Sequence, residues 1–161
     1  QWRVMGQIIN NLEELKEIVN DEKRKGRSIV FGNGCFDLLH VGHIRYLQDA
    51  KRLGDVLVVA VNDDTSVKGL GKRKHVVTPA LERAEIISAI GCVDYVIIFS
   101  DPTVENLLLA LKPDIHAKGT DYTENTVPER DVVLSYGGRV AIVGDPKDHS
   151  TRDLIRTIKN L

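Results

Sequence analysis

"NGCFDLLHVGHIRYL" spans residues 33–47. Its first residues close the apolar run "SIVFGNG" (28–34), which reads as a buried strand. Its last residues open a helix over 41–53, with Ile44, Leu47 and Ala50 on the inward face and Gly54 as the stop. Between strand and helix stand His40 and His43, with Gly42 in the gap.

The same alternation runs outward in both directions. Upstream, Asn11 can cap a helix through "LEELKEIVNDEKRKG", with acids early, bases late and Gly26 after it. Leu12, Leu15, Ile18 and Val19 form its apolar stripe. Downstream, "DVLVVAVN" (55–62) is a nearly continuous apolar run, the pattern of a central parallel strand. A polar, glycine-containing loop follows over 63–77, then a helix over 78–91 with Thr78 as N-cap and Pro79 in its first turn. Strands over 95–99, 114–119 and 139–144 alternate with helices over 102–111, 127–137 and 150–160.

Strands separated by helices of this length form right-handed βαβ units. The predicted fold is α/β: a doubly wound, five-stranded parallel sheet of Rossmann-like type. It comprises a helical extension over 1–27 and a compact domain over 28–161. Such sheets bind ligands beyond the carboxyl ends of their strands, near the switch in strand order. Residues just after 34, 62, 99, 119 and 144 are therefore the places to look.

His40 and His43 lie at the first of these ends. The helix that starts beside them presents unpaired N–H groups and a positive dipole end, a geometry that favours phosphate. Gly42 leaves the backbone open to a ligand. Three residues apart on a first turn, the two histidines share roughly one face and can offer two imidazole N–H donors. A lone histidine at a helix start is usually a cap or a surface residue; two around a glycine are harder to dismiss. The pattern is neither a Walker-type phosphate loop nor GxGxxG, and no further His or Cys group stands at zinc-ligand spacing.

Bulk properties narrow the class. With 161 residues, 42% hydrophobic and 28% charged, the chain suits one globular domain with a real core. A net charge of −1 provides no global field for nucleic acid or an anionic membrane, so any anion site is local. No apolar run approaches the roughly 20 residues of a membrane span. Cys35 and Cys92 stand in apolar stretches, which suits buried thiols and a reducing cytoplasm. The opening "QWRVMGQIINN" has neither an initiator Met nor a signal-peptide pattern, and a further domain upstream is compatible with it.

"GCFDLLHVGH" together with "STRDLI" resembles the nucleotidyltransferase superfamily marked by an HxGH motif. The likeness extends from about Ser28 to Arg156. "NGCFDLLHVGHIRYLQDAKRLGD", "VAVNDDTSVK", "LKPDIHAKGTDY" and "GDPKDHSTRDLI" are most similar to the D-glycero-β-D-manno-heptose 1-phosphate adenylyltransferases, which make ADP-heptose for lipopolysaccharide. Thr120 stands where that family usually has glycine. The resemblance implies ATP as substrate, Mg²⁺ with it, a sugar phosphate as acceptor, a fused or separate sugar kinase, and dimers, which are common among such enzymes. A cytidylyltransferase using CTP and glycerol 3-phosphate is the nearest alternative. A non-catalytic nucleotide-binding module and a flavodoxin-like binding protein are the alternatives of another class.

In such a reaction the nucleophile is a phosphate already mostly dianionic at pH 7, so no general base is needed. Positioning and charge stabilisation carry the catalysis. His40 and His43 are expected to hold the nucleotide phosphates. Lys68, Lys72, Arg73 and Lys74 supply positive charge from the loop after the second strand, and Lys118 is aimed at the same cleft by its position. Asn33 and Gly34 let the nucleotide pass close to the backbone, with Cys35, Phe36, Gly42, Gly119 and Asp121 completing the nucleotide-binding set. By resemblance, Arg83 contacts phosphate, Ser150 and Thr151 bring hydroxyls to the β- and γ-phosphates besides capping their helix, and Asp37 orients the acceptor besides capping its own turn. Asn62, Asp64 and Tyr122 are further substrate candidates, with Asp121 and Tyr122 suited to sugar or nucleotide hydroxyls. No dedicated protein ligand for a metal is expected; Asp37 or Asp64 can act on the ion indirectly.

Overall fold

The computed structural model describes residues 6–71, 75–146 and 150–161. They form an all-parallel sheet of six strands. β1 (Gln7–Ile8), β2 (Ile29–Gly34), β3 (Val56–Asn62), β4 (Tyr95–Phe99), β5 (Ile115–Lys118) and β6 (Arg139–Ile142) stand in the order β1-β4-β3-β2-β5-β6. The helices are α1 (Leu12–Arg24), α2 (Val41–Arg52), α3 (Asp64–Gly69), α4 (Ala80–Ser88), α5 (Glu105–Leu111), α6 (Arg130–Ser135) and α7 (Thr151–Lys159).

The doubly wound reading holds, with one strand more than expected. β1 has two residues, both exposed, and pairs with β4 through Gln7↔Tyr95 and Ile8↔Val96. "GQIINN" has no apolar alternation, so periodicity could not reveal a strand whose existence depends on its neighbour. β1 and α1 are thus built into the same sheet and core as the rest. The loop expected over 63–77 contains α3, whose first turn is closed by Asp63 accepting from Ser66 N at 2.7 Å.

β3 shows why both faces must be covered. Val56, Val58 and Ala60 point into a core with Leu15 and Val19 of α1, Leu108 of α5 and Val133 of α6. Leu57, Val59 and Val61 point into a second core with Leu47 and Ala50 of α2 and Ala84 and Ile87 of α4. All seven residues of the strand are buried, as its unbroken apolar run requires. Gly54 is needed for close approach: a Cβ there would lie 2.8 Å from Val30 Cγ2.

Capping matches in part. Asn11 accepts from Glu14 N at 2.8 Å, and Gly26, with φ of 77°, follows α1 in the left-handed region that glycine tolerates best. Thr78 does not cap α4. Pro79 occupies that position without a side-chain bond, and the Thr78 backbone is engaged by Asp37 and Arg83. Cys35 and Cys92 are half-buried rather than fully buried. Among the described residues no helix is long and apolar enough to cross a membrane.

Candidate active site

Chain order reverses at the centre of the sheet. From β2 the strands proceed through β3 and β4 to one side, while β5 and β6 lie on the other. The loop carrying the histidines leaves β2 and Lys118 ends β5, so both stand at the switch point between these paired strands.

The turn from β2 into α2 is held in an unusual backbone. Phe36 and Leu38 have φ of 52° and 56°, left-handed values that cost bulky residues on the order of 1–3 kcal/mol each. Three sets of hydrogen bonds and one ring contact hold the turn. The Asp37 carboxylate accepts from Val77 N and Thr78 N, each at 2.9 Å. The Asp37 carbonyl accepts from Thr151 Oγ1 at 2.9 Å, with Leu38 O at 3.3 Å from the same hydroxyl. The Cys35 carbonyl accepts from Arg83 Nη1, and the Phe36 ring packs edge-on to His43 at 5.6 Å.

The turn delivers the two histidines as a unit. Their rings stack with centroids 3.9 Å apart and an interplanar angle of 28°. His40 Nδ1 accepts from Gly42 N at 3.1 Å, and His43 Nδ1 accepts from His40 N at 3.2 Å. An Nδ1 that accepts carries no proton, so each ring's proton sits on Nε2. Of the amides at the start of α2, that of Gly42 donates into the His40 ring and not toward a ligand. Burial, reinforced by the neighbouring His40, pushes the His43 pKa down to about 4, so this ring is a neutral donor near pH 7.

That depressed value has a consequence for stability. An unfolded histidine titrates near 6.5, so between pH 6.5 and 4 the unfolded chain takes up a proton that folded His43 refuses. The contribution is full above 6.5 and is lost as pH falls toward 4. His43→Gln is expected to show a shallower decline of Tm over that window than wild type, by roughly 7–14 °C across it. Superimposable Tm-against-pH curves would refute the assignment.

Arg83 differs most from its expected role. It is 1% exposed. Nε donates to Thr78 O at 2.8 Å, Nη1 to Asn62 O at 2.7 Å as well as to Cys35 O, and Nη2 pairs with Asp64 at 2.7 Å. Four of its five N–H donors are thus spent tying together the ends of β2 and β3, the start of α3 and the entry to α4. It is a clamp beneath the mouth, with little left for a phosphate. Asp37 and Asp64 likewise have their carboxylates engaged within the protein, by the two backbone amides and by Arg83 respectively.

The remaining candidates sort by contact. Asn62 is buried, with Nδ2 on Ser66 Oγ at 3.2 Å and Oδ1 3.9 Å from Cys35 Sγ. A Cβ on Gly34 would sit 3.1 Å from the Phe36 ring, whereas none of the described atoms lies within 4 Å of one on Gly119. Lys118 is 9% exposed, with its ammonium 4.5 Å from the centre of the Tyr122 ring. Tyr122 N donates to Gly119 O at 3.2 Å, and Asp121 is exposed in the same turn. Thr120, the departure from glycine, donates to Asp145 O at 2.7 Å and so links this turn to the loop after β6. Ser150 caps α7, accepting from Asp153 N at 3.1 Å and donating to its carboxylate at 2.8 Å. Both hydroxyls at the start of α7 thus have protein partners, and Thr151 fastens the helix to the histidine turn. Lys68 is exposed at the end of α3; Lys72, Arg73 and Lys74 lie outside the described residues.

Sequence reasoning missed His116. It is fully buried beside Asn33, with a ring nitrogen 2.9 Å from the Asn33 carboxamide oxygen. Its place inside "DIHAKG", alternating with apolar neighbours, was the available signal. A cavity of about 460 Å³ between Glu22, Arg27, Asp55 and Asp94 lies at the opposite, amino-terminal edge of the sheet. Its acids are paired, Glu22 with Arg27 and Asp94 with Lys51, each at 2.7 Å. Among the described residues no group of three or more His, Cys, Asp or Glu could hold a metal.

A parallel α/β sheet with a His-x-Gly-His turn at its switch point defines the HxGH class of nucleotidyltransferase folds. The cytidylyltransferase-like family model matches residues 31–157, and the chain belongs to that family. It is 49% identical over 150 residues to the bifunctional protein HldE of Geobacter metallireducens and 46% over 146 residues to that of Syntrophotalea carbinolica. These matches cover 93% and 91% of the chain but 31% and 30% of those proteins, so it spans about a third of their length. Among solved structures, a lipopolysaccharide core biosynthesis protein from Thermoplasma volcanium superposes with a TM-score of 0.63 at 32% identity, over 73% of this chain and 94% of that one. Pantothenate synthetase from Thermus thermophilus has a TM-score of 0.64 at 18% identity, over 96% and 70%, a likeness of fold alone.

Proposed function

We propose that this chain transfers the AMP of ATP to a sugar 1-phosphate of the heptose type, releasing pyrophosphate. An oxygen of the acceptor phosphate attacks the α-phosphorus in line, and the bond to the bridging oxygen of the β-phosphate breaks. The carrying observation is the stacked imidazole pair, whose Nδ1 atoms are held by backbone amides; in this reading their Nε2–H donors serve the phosphates. Fixed neutral donors of this kind stabilise charge developing on a leaving group without reorganising. Lys118 adds positive charge from β5, on the other side of the switch point.

Mg²⁺ would neutralise part of the triphosphate charge. With Asp37 and Asp64 engaged elsewhere, phosphate oxygens and water would hold it rather than these carboxylates. The HldE relatives and the lipopolysaccharide-related neighbour support the heptose reading, and the length of those relatives supports a sugar kinase activity, fused or separate, that supplies the acceptor. The setting proposed is the cytoplasm.

The family's cytidylyltransferase-like description supports a second reading, CTP with glycerol 3-phosphate. A pyrophosphate-release screen of ATP and CTP against heptose 1-phosphate, other sugar 1-phosphates and glycerol 3-phosphate separates them. Turnover is expected with ATP and heptose 1-phosphate; turnover confined to CTP and glycerol 3-phosphate would replace the first reading with the second. In the productive pair, Lys118→Ala is expected to raise KM for the phosphate substrates about tenfold, the loss of one charge-assisted contact. Its Tm should move only a few degrees, since a cation–π contact contributes about 0.5–1 kcal/mol. An unchanged KM would remove Lys118 from the site.

A further inference from the structure

His116 stands on β5 opposite Phe31 of β2, its ring 5.5 Å from the Phe31 ring and 0% exposed. Nε2 lies 2.9 Å from Asn33 Oδ1, while Nδ1 has no hydrogen-bond partner among the described residues. A carboxamide oxygen only accepts, so Nε2 carries the proton and the orphan Nδ1 is a buried acceptor. Burial, together with the charge of Lys118, pushes the imidazole pKa down to about 3. The ring therefore carries no proton to or from a substrate near neutral pH. What it supplies is one fixed donor, at the expense of an acceptor left unsatisfied in the core.

That donor acts on the residue at the mouth. Asn33 is half-buried next to the last residue of β2, on the strand that leads into the histidine turn. Its backbone N–H is taken by the phenol of Tyr46, whose hydroxyl donates to Ala117 O at 2.7 Å. A Cβ on the preceding Gly32 would come within 2.7 Å of that hydroxyl, so the glycine leaves the room the tyrosine fills. Asn33 is thus gripped twice, through its backbone by Tyr46 and through Oδ1 by His116. With the oxygen held inward, the amide nitrogen takes the other branch of the fork.

We infer that His116 is a positioning residue: it orients the Asn33 carboxamide so that Nδ2–H projects from the end of β2 as a donor to an acceptor oxygen or ring nitrogen of the bound nucleotide. Asn33 then reads the ligand with its side chain and does more than leave room beside the backbone. This rests on the reading of the mouth as a nucleoside triphosphate site.

The test is a double-mutant cycle on the full chain, with ATP as the varied substrate. His116→Leu is expected to raise KM for ATP about tenfold and change kcat less than twofold. In an Asn33→Ala background the same change should have no further effect on KM. His116→Gln, which keeps an amide donor near the Nε2 position, should restore KM to within about threefold of wild type. An equal KM penalty with and without Asn33, or a loss of Tm with KM unaltered, would overturn the inference. Nitrogen-15 NMR of the ligand-free protein decides the point even if no acceptor is turned over and the proposed reaction fails: the Nε2–H tautomer and Asn33 side-chain amide signals displaced in His116→Gln support it, and an Nδ1–H tautomer sinks it.

Discussion

Replacing His43 with alanine is expected to lower kcat by about 10²–10³, the usual cost of removing one preorganised donor from a developing negative charge. The structure separates this loss from unfolding. The His43 main-chain bond into α2 survives the substitution, as does the Gly42 bond to His40. What disappears is the stacked face, the edge contact with Phe36 and the bond from His40 N to His43 Nδ1, the last a capping loss of about 1 kcal/mol. In a domain of this size that lowers Tm by roughly 2–4 °C. His43→Asn tests the chemistry further: its oxygen can accept from His40 N while its NH₂ donates outward, so it should recover part of kcat. An alanine variant with full kcat would reduce the imidazole pair to a helix cap.

The second large effect concerns Arg83. Arg83→Met is expected to destabilise the fold by about 3 kcal/mol and to drop Tm by roughly 6–12 °C. Little of this comes from the ion pair with Asp64, whose side chain is 44% exposed and screened by solvent. The main cost is three carbonyls, of Cys35, Asn62 and Thr78, that lose their donor together. Because those carbonyls mark the junctions around the mouth, kcat should fall with Tm, and lysine, which cannot fork to several acceptors, should rescue poorly. A contact made directly to phosphate would behave differently: KM for the triphosphate would rise while Tm stayed put. Thermal melts and steady-state kinetics on the same preparation distinguish the two.

Much of the fold was legible because its signals are local. The run "DVLVVAVN" demands cover on both faces, and the stripe of α1 and the inward set of α2 identify what covers it. The histidine turn was legible in part: the spacing of three put His40 and His43 close together, but His40 is the extended N-cap of α2, and the rings meet through local capping bonds and not through a shared helical face. β1 was not legible, because its pairing with β4 is a contact across more than eighty residues of chain. α3 is six residues long, below the length at which periodicity speaks.

The roles of charged residues were the least legible. Resemblance alone put Arg83 on a phosphate and gave Asp37 the task of orienting the acceptor. Whether a guanidinium faces a ligand or backbone carbonyls depends on where three other loops end, which no spacing encodes. The same holds for the left-handed Phe36 and Leu38: neither residue type favours that region, and bonds from Arg83, Thr151 and the Val77–Thr78 amides, remote in the chain, help hold them there.

By itself, then, the chain's pattern of apolar runs and helix signals determined the parallel α/β layering and the seat of the imidazole pair. These depend on periodicity and on short-range geometry, which every local stretch carries with it. Only tertiary structure decided which donors face outward. Buried polar groups seek partners, and for Arg83, Asp37 and the Nε2 of His116 those partners were chosen by loops and strands brought together from distant parts of the chain.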